Sequence, residues 1–256
     1  ARDCRHIQHI RRAFKMEIQA AVIEIDRTDD RLFVVADEGL GVNEARNEFV
    51  NSNACGEQLA IFEVGSTLYL LLSDGMGTGE PAHREAAMTV RLLREFLEAG
   101  IEPVSALRTL NAALMLRGEE GGGFTTIDLL ALQRPTGAGT LYKYGAAPSY
   151  LKRGGCVTRV TGQSLPAGLQ QGADGPESTR LSLQAGSFFV MVSDGVADET
   201  DDEWLQNLMA GWSGQSAEAL ASLILSESRT RRGLRDDCAV LVLHLPKMED
   251  SPPRQV

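Results

Sequence analysis

The sequence predicts an α+β domain in which antiparallel sheets are covered by helices. Short apolar segments separated by tight turns recur in both halves of the chain, a pattern that is typical of antiparallel strands. Pairs of longer segments with helical periodicity interrupt these strands, which favours helices packed on sheets in one layered domain. No internal boundary divides the 256 residues, so we expect one folded unit.

The first predicted elements are two pairs of strands. One pair is predicted over 15–25 and 31–37, on either side of a turn-rich segment. The other is predicted over 58–64 and 67–73, joined by a two-residue Gly-Ser turn. A two-residue connection is a strong signal for a hairpin.

Two helices are predicted directly after the second pair of strands. The first follows Pro81 and ends near Gly100, and the second runs from Pro103 to Gly118. Proline suits the first turn of a helix, where no amide donor is needed, and glycine suits the position just past its end. The alternation of signals therefore predicts a pair of adjacent helices.

The second half of the chain returns to strands and ends with another helix pair. Strands are predicted over 124–133, 139–144, 149–153, 156–160, 179–183, 187–192 and 238–245. The helices are predicted over 202–212 and 216–230. In the second of these helices, the spacing of Leu220, Leu223 and Ile224 predicts that all three side chains face inward.

Both ends of the chain are predicted to lie outside the folded domain, which is expected over 15–245. Residues 1–14 are predicted to form a helix that links to an upstream region, and 246–256 a disordered tail. No apolar run approaches the roughly 20 residues that a membrane-spanning helix needs. We therefore expect this fragment to be cytoplasmic and any membrane anchor to lie in the upstream region.

Charge and cysteine content exclude several classes of function. The formal net charge of −10 repels nucleic acid, which argues against a nucleic-acid partner and against a nuclease. The four cysteines are far apart in the sequence, so we expect reduced thiols rather than disulfides or a zinc site. An acidic balance also suits a protein that uses carboxylates to hold cations.

Acidic residues stand at the ends of several predicted strands. They are Asp74 and Asp194, each in a Ser-Asp-Gly that ends an apolar strand, Asp236 and Asp237 before the last strand, and Glu57 before the partner of the Asp74 strand. One such tripeptide can be an ordinary turn, but carboxylates from several packed strands cannot all be buried as bare anions. A divalent cation is the simplest compensation, and oxygen ligands favour Mg²⁺ or Mn²⁺.

Glycine after Asp74 and after Asp194 allows close approach of the backbone, and its carbonyl can be a further metal ligand. The same loop does not match a nucleotide-binding motif. A dinucleotide fingerprint that starts at Gly75 needs glycine where the chain has Glu80, and a Gly-Lys-Ser/Thr is absent. The glycines are therefore interpreted as part of a metal site.

The segment from Ser73 to His83 resembles the stage II sporulation protein E phosphatase domain, a family of metal-dependent PPM-type serine/threonine protein phosphatases. The resemblance continues in order through Thr125-Thr126-Ile127-Asp128-Leu129, Lys143–Tyr150, Leu165-Pro166-Ala167-Gly168, Ser193-Asp194-Gly195-Val196 and Arg229-Thr230-Arg231. It implies an α-β-β-α sandwich of two antiparallel sheets flanked by helices.

The resemblance also implies a centre of two Mn²⁺ or Mg²⁺ ions. By the match, Asp74 bridges both ions, the carbonyl of Gly75 binds one of them, and Asp194 and Asp236 hold the other. Asp237 adjoins Asp236, and the sequence leaves open which of the two is the ligand. Glu57 stands where the family usually has Asp, which predicts a weak second metal site.

The function implied by the resemblance is hydrolysis of phosphoserine on an anti-sigma-factor antagonist, which activates a sporulation sigma factor. Asp74, Asp194 and Asp236 are the expected catalytic residues. Two alternatives remain at this point: a metal-poor pseudophosphatase that acts as a phosphoprotein-binding scaffold, and a stress-response phosphatase of the same fold.

Two further features have both a structural and a functional interpretation. Arg229, Arg231, Arg232 and Arg235 stand close together, either as cations that stabilise a helix C-terminus or with one of them holding the substrate phosphate. The helix pair over 81–118 is either a covering layer or, as the family suggests, a regulatory switch that also forms a homodimer.

Overall fold

The computed structural model describes residues 19–25, 32–38, 56–77, 79–118, 123–169, 175–198, 200–232 and 236–247. For the first two segments it describes the path of the backbone. The predicted linker helix over 1–14, Arg235 and the tail beyond 247 lie outside the described residues. Among those that are described, no helix is long and apolar enough to span a bilayer.

The described strands form two antiparallel sheets. They are β1 (Gln19–Ile25), β2 (Leu32–Glu38), β3 (Glu57–Val64), β4 (Thr67–Asp74), β5 (Ile127–Gln133), β6 (Ala138–Tyr144), β7 (Ser149–Arg153), β8 (Cys156–Val160), β9 (Glu177–Ser182), β10 (Phe188–Val192) and β11 (Cys238–His244). One sheet has six strands in the order β2-β1-β11-β10-β7-β8, and the other has five in the order β3-β4-β5-β6-β9.

Helices cover the outer face of each sheet. They are α1 (Glu80–Glu98), α2 (Pro103–Gly118), α3 (Glu203–Gly211) and α4 (Ala217–Arg232). Helix α1 packs on β3 and β4 and against α2, while α4 packs on β1 and β11 and α3 on β7 and β8. The layers therefore follow the order helix, sheet, sheet, helix, which confirms the predicted α-β-β-α sandwich.

Three apolar layers hold the sandwich together. Side chains such as Leu70 and Leu241 fill the space between the sheets, Val90 and Leu129 lie between the five-stranded sheet and its helices, and Val240 lies between the other sheet and its helices. Because alternate residues of β11 enter different layers, all seven are buried. This explains why that strand is almost wholly apolar in sequence.

Most predicted boundaries agree with the structure to within a few residues, and α2 has the predicted bounds. Two details differ. Leu223 is 41% exposed, so its predicted inward position is wrong; Ala221 and Leu225 lie on the buried face with Leu220 and Ile224 instead. Strand β5 begins at Ile127 rather than 124, because Thr125 forms isolated bridges to Gly75 and Ala167.

Candidate metal centre

The acidic strand ends of the two sheets meet at one edge of the sandwich. Asp74 ends β4 and is directly opposite Glu57, the first residue of β3. The N–H of Gly56 donates a hydrogen bond to Oδ2 of Asp237 at 2.9 Å, which joins the start of β3 to the residue before β11. The two sheets therefore contribute carboxylates to a common site.

Only glycine fits at the two positions that follow Asp74 and Asp194, because a Cβ there would clash with the backbone. A Cβ on Gly195 would lie 1.9 Å from the carbonyl oxygen of Asp237, and a Cβ on Gly75 would lie 2.0 Å from the carbonyl oxygen of Ala82. Neither contact is possible for any other residue type. The predicted close approach of the backbone is confirmed at both positions, and it fixes the Asp194 loop against Asp237.

Burial and neighbouring negative charges raise the pKa values of Asp74 and Asp194. The pKa of Asp74 rises to about 7, first because burial removes water and then because Asp194, Asp236 and Asp237 are negatively charged. The pKa of Asp194 also rises, chiefly because the surrounding protein displaces water from its carboxylate and then because Asp236 is negatively charged. Mutual repulsion of this kind fits a site that gains stability from a divalent cation.

The side chains do not form a closed ligand shell. Within the described ranges, no three His, Cys, Asp or Glu side chains come together as a compact metal cage. Mg²⁺ usually keeps several waters and uses only one or two carboxylates, so a loose set of oxygen ligands fits it better than it would fit zinc. The residues present are therefore compatible with the implied ions.

The two adjacent aspartates, Asp236 and Asp237, have different surroundings. Asp237 uses Oδ2 to accept the hydrogen bond from Gly56. Asp236 is exposed, and its charge acts on both Asp74 and Asp194. The charge of Asp237 also acts on Asp74, so the choice of ligand between the two aspartates stays a prediction.

Glu57 is almost completely buried at the start of β3, with 1% of its surface exposed. Its charge acts on the neighbouring thiol of Cys238, whose pKa rises to about 12, mainly through burial. The register places Glu57 beside Asp74 across the β3–β4 ladder. Its position at the site therefore agrees with the prediction, and its role as a ligand stays a prediction.

Hydroxyl groups that the sequence analysis did not assign hold the main chain of Asp74. Thr125 Oγ1 donates to the Asp74 carbonyl at 2.7 Å, and the Asp74 N–H donates to Thr126 Oγ1 at 3.1 Å. Ser73 Oγ donates to the Thr126 carbonyl at 2.8 Å. On the other sheet, Ser193 Oγ accepts the N–H of Ala239 at 2.9 Å. The serine of each Ser-Asp-Gly thus ties its strand end to a neighbour.

The predicted arginines have different surroundings. Arg232 donates to the carbonyl of Asp194 at 2.7 Å and pairs with Asp198 at 2.6 Å. The pKa of Asp198 falls to about 2, chiefly through hydrogen bonds from Thr200 and then from Arg232. Arg231 instead pairs with Glu227 at 2.7 Å and lies 5.6 Å from the Trp204 ring centre. Of Arg231 and Arg232, it is Arg232 that reaches the Asp194 loop.

A small cavity of about 30 Å³ opens beside the carboxylates. It is lined by Leu72, Asp74, Thr126, Gly145, Ala146, Ala147, Val192, Ser193 and Asp194. It thus brings strand ends of both sheets together around one small, partly open space.

Comparison with known proteins supports the same family as the motifs. The profile of the family described as Stage II sporulation protein E matches residues 65–246. The chain is 33% identical over 198 residues to stage II sporulation protein E of Bacillus subtilis, a match that covers 74% of this chain and 24% of the relative. The corresponding protein of Priestia megaterium is 31% identical over 209 residues, covering 77% and 35%. The chain thus spans about a quarter to a third of these relatives.

A solved structure agrees with the sequence relatives. The PP2C phosphatase domain of the cell fate determinant SpoIIE from Bacillus subtilis, solved with a fragment of its regulatory domain, is similar with a TM-score of 0.72 and 28% identity. That match covers 90% of this chain and 64% of the other. The chain therefore belongs to the stage II sporulation protein E family and carries a phosphatase domain of the PP2C type.

Proposed function

We propose that this chain is a Mn²⁺- or Mg²⁺-dependent protein serine phosphatase. The observation that carries the proposal is the meeting of Asp74, Asp194 and Asp236 from different strand ends, close enough for their charges to interact. Family membership supports the same reaction. The predicted extent of the catalytic domain, 15–245, between a linker and a tail, is part of this proposal.

The proposed ligands are the residues that the sequence indicated. Asp74 is the shared ligand, because the charges of Asp194, Asp236 and Asp237 all act on it. The Gly75 carbonyl, Asp194 and Asp236 complete the main set. We place Asp237 and Glu57 at the margin of the second site, since Asp237 already accepts the Gly56 hydrogen bond. When bound, two such ions lower the pKa of a water and neutralise charge on the phosphoryl oxygens.

The protein's own groups orient this site rather than form a covalent intermediate. Thr125 and Thr126 fix the main chain of Asp74, and Arg232 fixes the carbonyl of Asp194. No cysteine in the chain is followed by arginine at the sixth position, as a cysteine-nucleophile phosphatase would require. Direct attack by water on phosphorus is the reaction that these groups suit.

We further propose a phosphorylated anti-sigma-factor antagonist as the substrate, with activation of a sporulation sigma factor as the outcome. The family relationship supports this choice over a stress-response role. Helix α1 is the proposed regulatory and dimerisation element, because the carbonyl of Ala82 in its first turn lies against Gly75. A movement of α1 would therefore displace a ligand loop. Any attachment to a membrane belongs, in this proposal, to a region upstream of the chain.

The test is hydrolysis of a phosphoserine protein and of p-nitrophenyl phosphate with and without added Mn²⁺. We expect activity that depends on Mn²⁺ or Mg²⁺, disappears in EDTA and survives thiol alkylation. Full activity in excess chelator would exclude the two-metal proposal. Binding of the phosphoprotein without hydrolysis at any Mn²⁺ concentration would instead favour the pseudophosphatase scaffold.

A further inference from the structure

The cavity beside the carboxylates has a wall whose role is not explained by metal binding. Residues 145–147 follow β6, and all three line the cavity together with Asp74 and Asp194. Tyr144 pairs with Ile127, so this segment lies next to Thr126, which in turn binds the main chain of Asp74. The edge of the five-stranded sheet thus runs from carboxylates on β3 and β4 to an uncharged segment after β6.

The uncharged wall offers peptide donors to which the described residues provide no acceptor. In the described part of the chain, the peptide N–H groups of Ala146 and Ala147 donate no hydrogen bond. Both residues are half-buried and have side chains too small to cover their peptide groups. Because both residues line the cavity, peptide donors that no described protein group engages are available to a ligand with acceptor oxygens.

A buried ion pair holds this wall in place. Lys143 Nζ donates to the carbonyl of Ala147 at 2.6 Å and to Asp128 Oδ2 at 2.7 Å. Ser149 Oγ donates to the same Asp128 oxygen at 2.5 Å. Lys143 and Asp128 are 2% and 0% exposed, which is unusual for charged residues and costs desolvation energy. Because both residues are buried, the hydrogen bond from Lys143 to the Ala147 carbonyl is a fixed part of the structure.

The other end of the segment is fixed as well. Gly145 has a φ of 59°, and its N–H donates to the carbonyl of Ser164 at 3.1 Å. A Cβ on Gly145 would lie 2.6 Å from Pro166. The segment is therefore anchored on both sides of the two unpaired N–H groups, which is the preorganisation expected of a binding site.

We propose that residues 145–147 form the phosphoryl-binding wall of the site, with the N–H groups of Ala146 and Ala147 as donors and Lys143 as a positioning residue. The inference rests on the proposed phosphatase function. The carboxylates alone repel a phosphate monoester, and the wall supplies donors for its oxygens next to them. Lys143 acts through Ala147 and does not itself contact substrate.

The direct test uses the whole chain loaded with Mg²⁺ and titrated with inorganic phosphate, followed by ¹H–¹⁵N spectra. We expect the amide signals of Ala146 and Ala147 to shift and saturate with phosphate, whereas the Gly145 amide, already bonded to Ser164, shifts little. Saturable shifts elsewhere with both alanine signals unmoved would overturn the proposal. So would the absence of any saturable shift.

The kinetic test uses the double variant Lys143→Met/Asp128→Asn, which removes the clamp without leaving a buried carboxylate unpaired. Loss of contacts made equally in the ground and transition states should raise KM, and the inhibition constant of inorganic phosphate, by about tenfold while kcat changes little. Lys152→Met is the matched control, since Lys152 is also buried but binds the carbonyls of Gly154 and Ala210. It should leave both constants unchanged.

The outcomes separate this inference from the proposed function. An active wild-type chain, together with a folded double variant whose KM and phosphate inhibition are within twofold of wild type, refutes the wall and leaves the phosphatase proposal intact. A wild-type chain that is inactive at every Mn²⁺ concentration refutes the phosphatase proposal, and the phosphate titration then still decides whether Ala146 and Ala147 bind the anion.

Discussion

Substitution of Gly195 by alanine should disable the site through a single steric contact. The added Cβ would lie 1.9 Å from the carbonyl oxygen of Asp237. Because carbon–oxygen contacts need about 3.3 Å, one of the two segments must retreat by about 1.4 Å. Metal–ligand distances tolerate only about 0.2 Å, and a misplacement of about 1 Å can cost 10²-fold in rate. We therefore expect kcat/KM to fall by at least about 100-fold.

Alanine substitutions at two other glycines of the chain are the controls for this measurement. A Cβ on Gly211 meets nothing within 4 Å, so Gly211→Ala should match wild type. A Cβ on Gly56 would lie 3.5 Å from Ala82 Cβ and 3.7 Å from Asp74 Oδ1, which is ordinary contact, so Gly56→Ala should remain active. The assay is p-nitrophenyl phosphate hydrolysis as a function of Mn²⁺, with circular dichroism to confirm folding.

The three glycine substitutions should differ in a fixed order of severity. Activity should decrease from Gly211→Ala through Gly56→Ala to Gly195→Ala, with the Mn²⁺ concentration for half-maximal rate rising in the same order. A folded Gly195→Ala variant with kcat/KM within a few-fold of wild type would show that the contact between the Asp194 loop and Asp237 is not needed for catalysis.

Asp74→Asn should be the most damaging single substitution, because Asp74 is proposed to bind both ions, whereas Asp194→Asn should weaken mainly one site. The measurement is the hydrolysis rate of each variant at saturating Mn²⁺. Near-normal activity of Asp74→Asn would contradict a bridging role. Glu57→Asp should lower the Mn²⁺ requirement if the longer side chain fits the second site poorly, and a raised requirement in a metal titration would show that Glu57 is a well-fitted ligand. Arg232→Ala should raise the Mn²⁺ requirement, because it releases the Asp194 carbonyl. Arg231→Ala should leave the Mn²⁺ requirement and KM unchanged, because that side chain contacts Glu227 and Trp204 instead. Equal effects of both substitutions would point to a general role of positive charge at the end of the helix.

The sequence was most informative where the signal was local. Proline and glycine marked the ends of α2, and the repeated Ser-Asp-Gly identified the strand ends that meet. It was less informative where partners are distant. Thr125 and Asp74 are 51 positions apart, and the segment 145–147 contains no reactive side chain that could attract attention. Leu223 was misplaced because helical spacing alone does not fix which side of an amphipathic face reaches the core.

The pairing of β1 with β11 has a consequence for synthesis of the chain. Gln19 is opposite His244 and Ile25 is opposite Cys238, so the earliest described strand completes its ladder only with the latest. The six-stranded sheet cannot be completed on the ribosome before β11 has emerged. Asp236 emerges directly before β11. Pairing at such long range is slow to form. A nascent chain can therefore begin to fold its five-stranded half first, but Asp236 joins the acidic strand ends only once the residues around β11 have been synthesised.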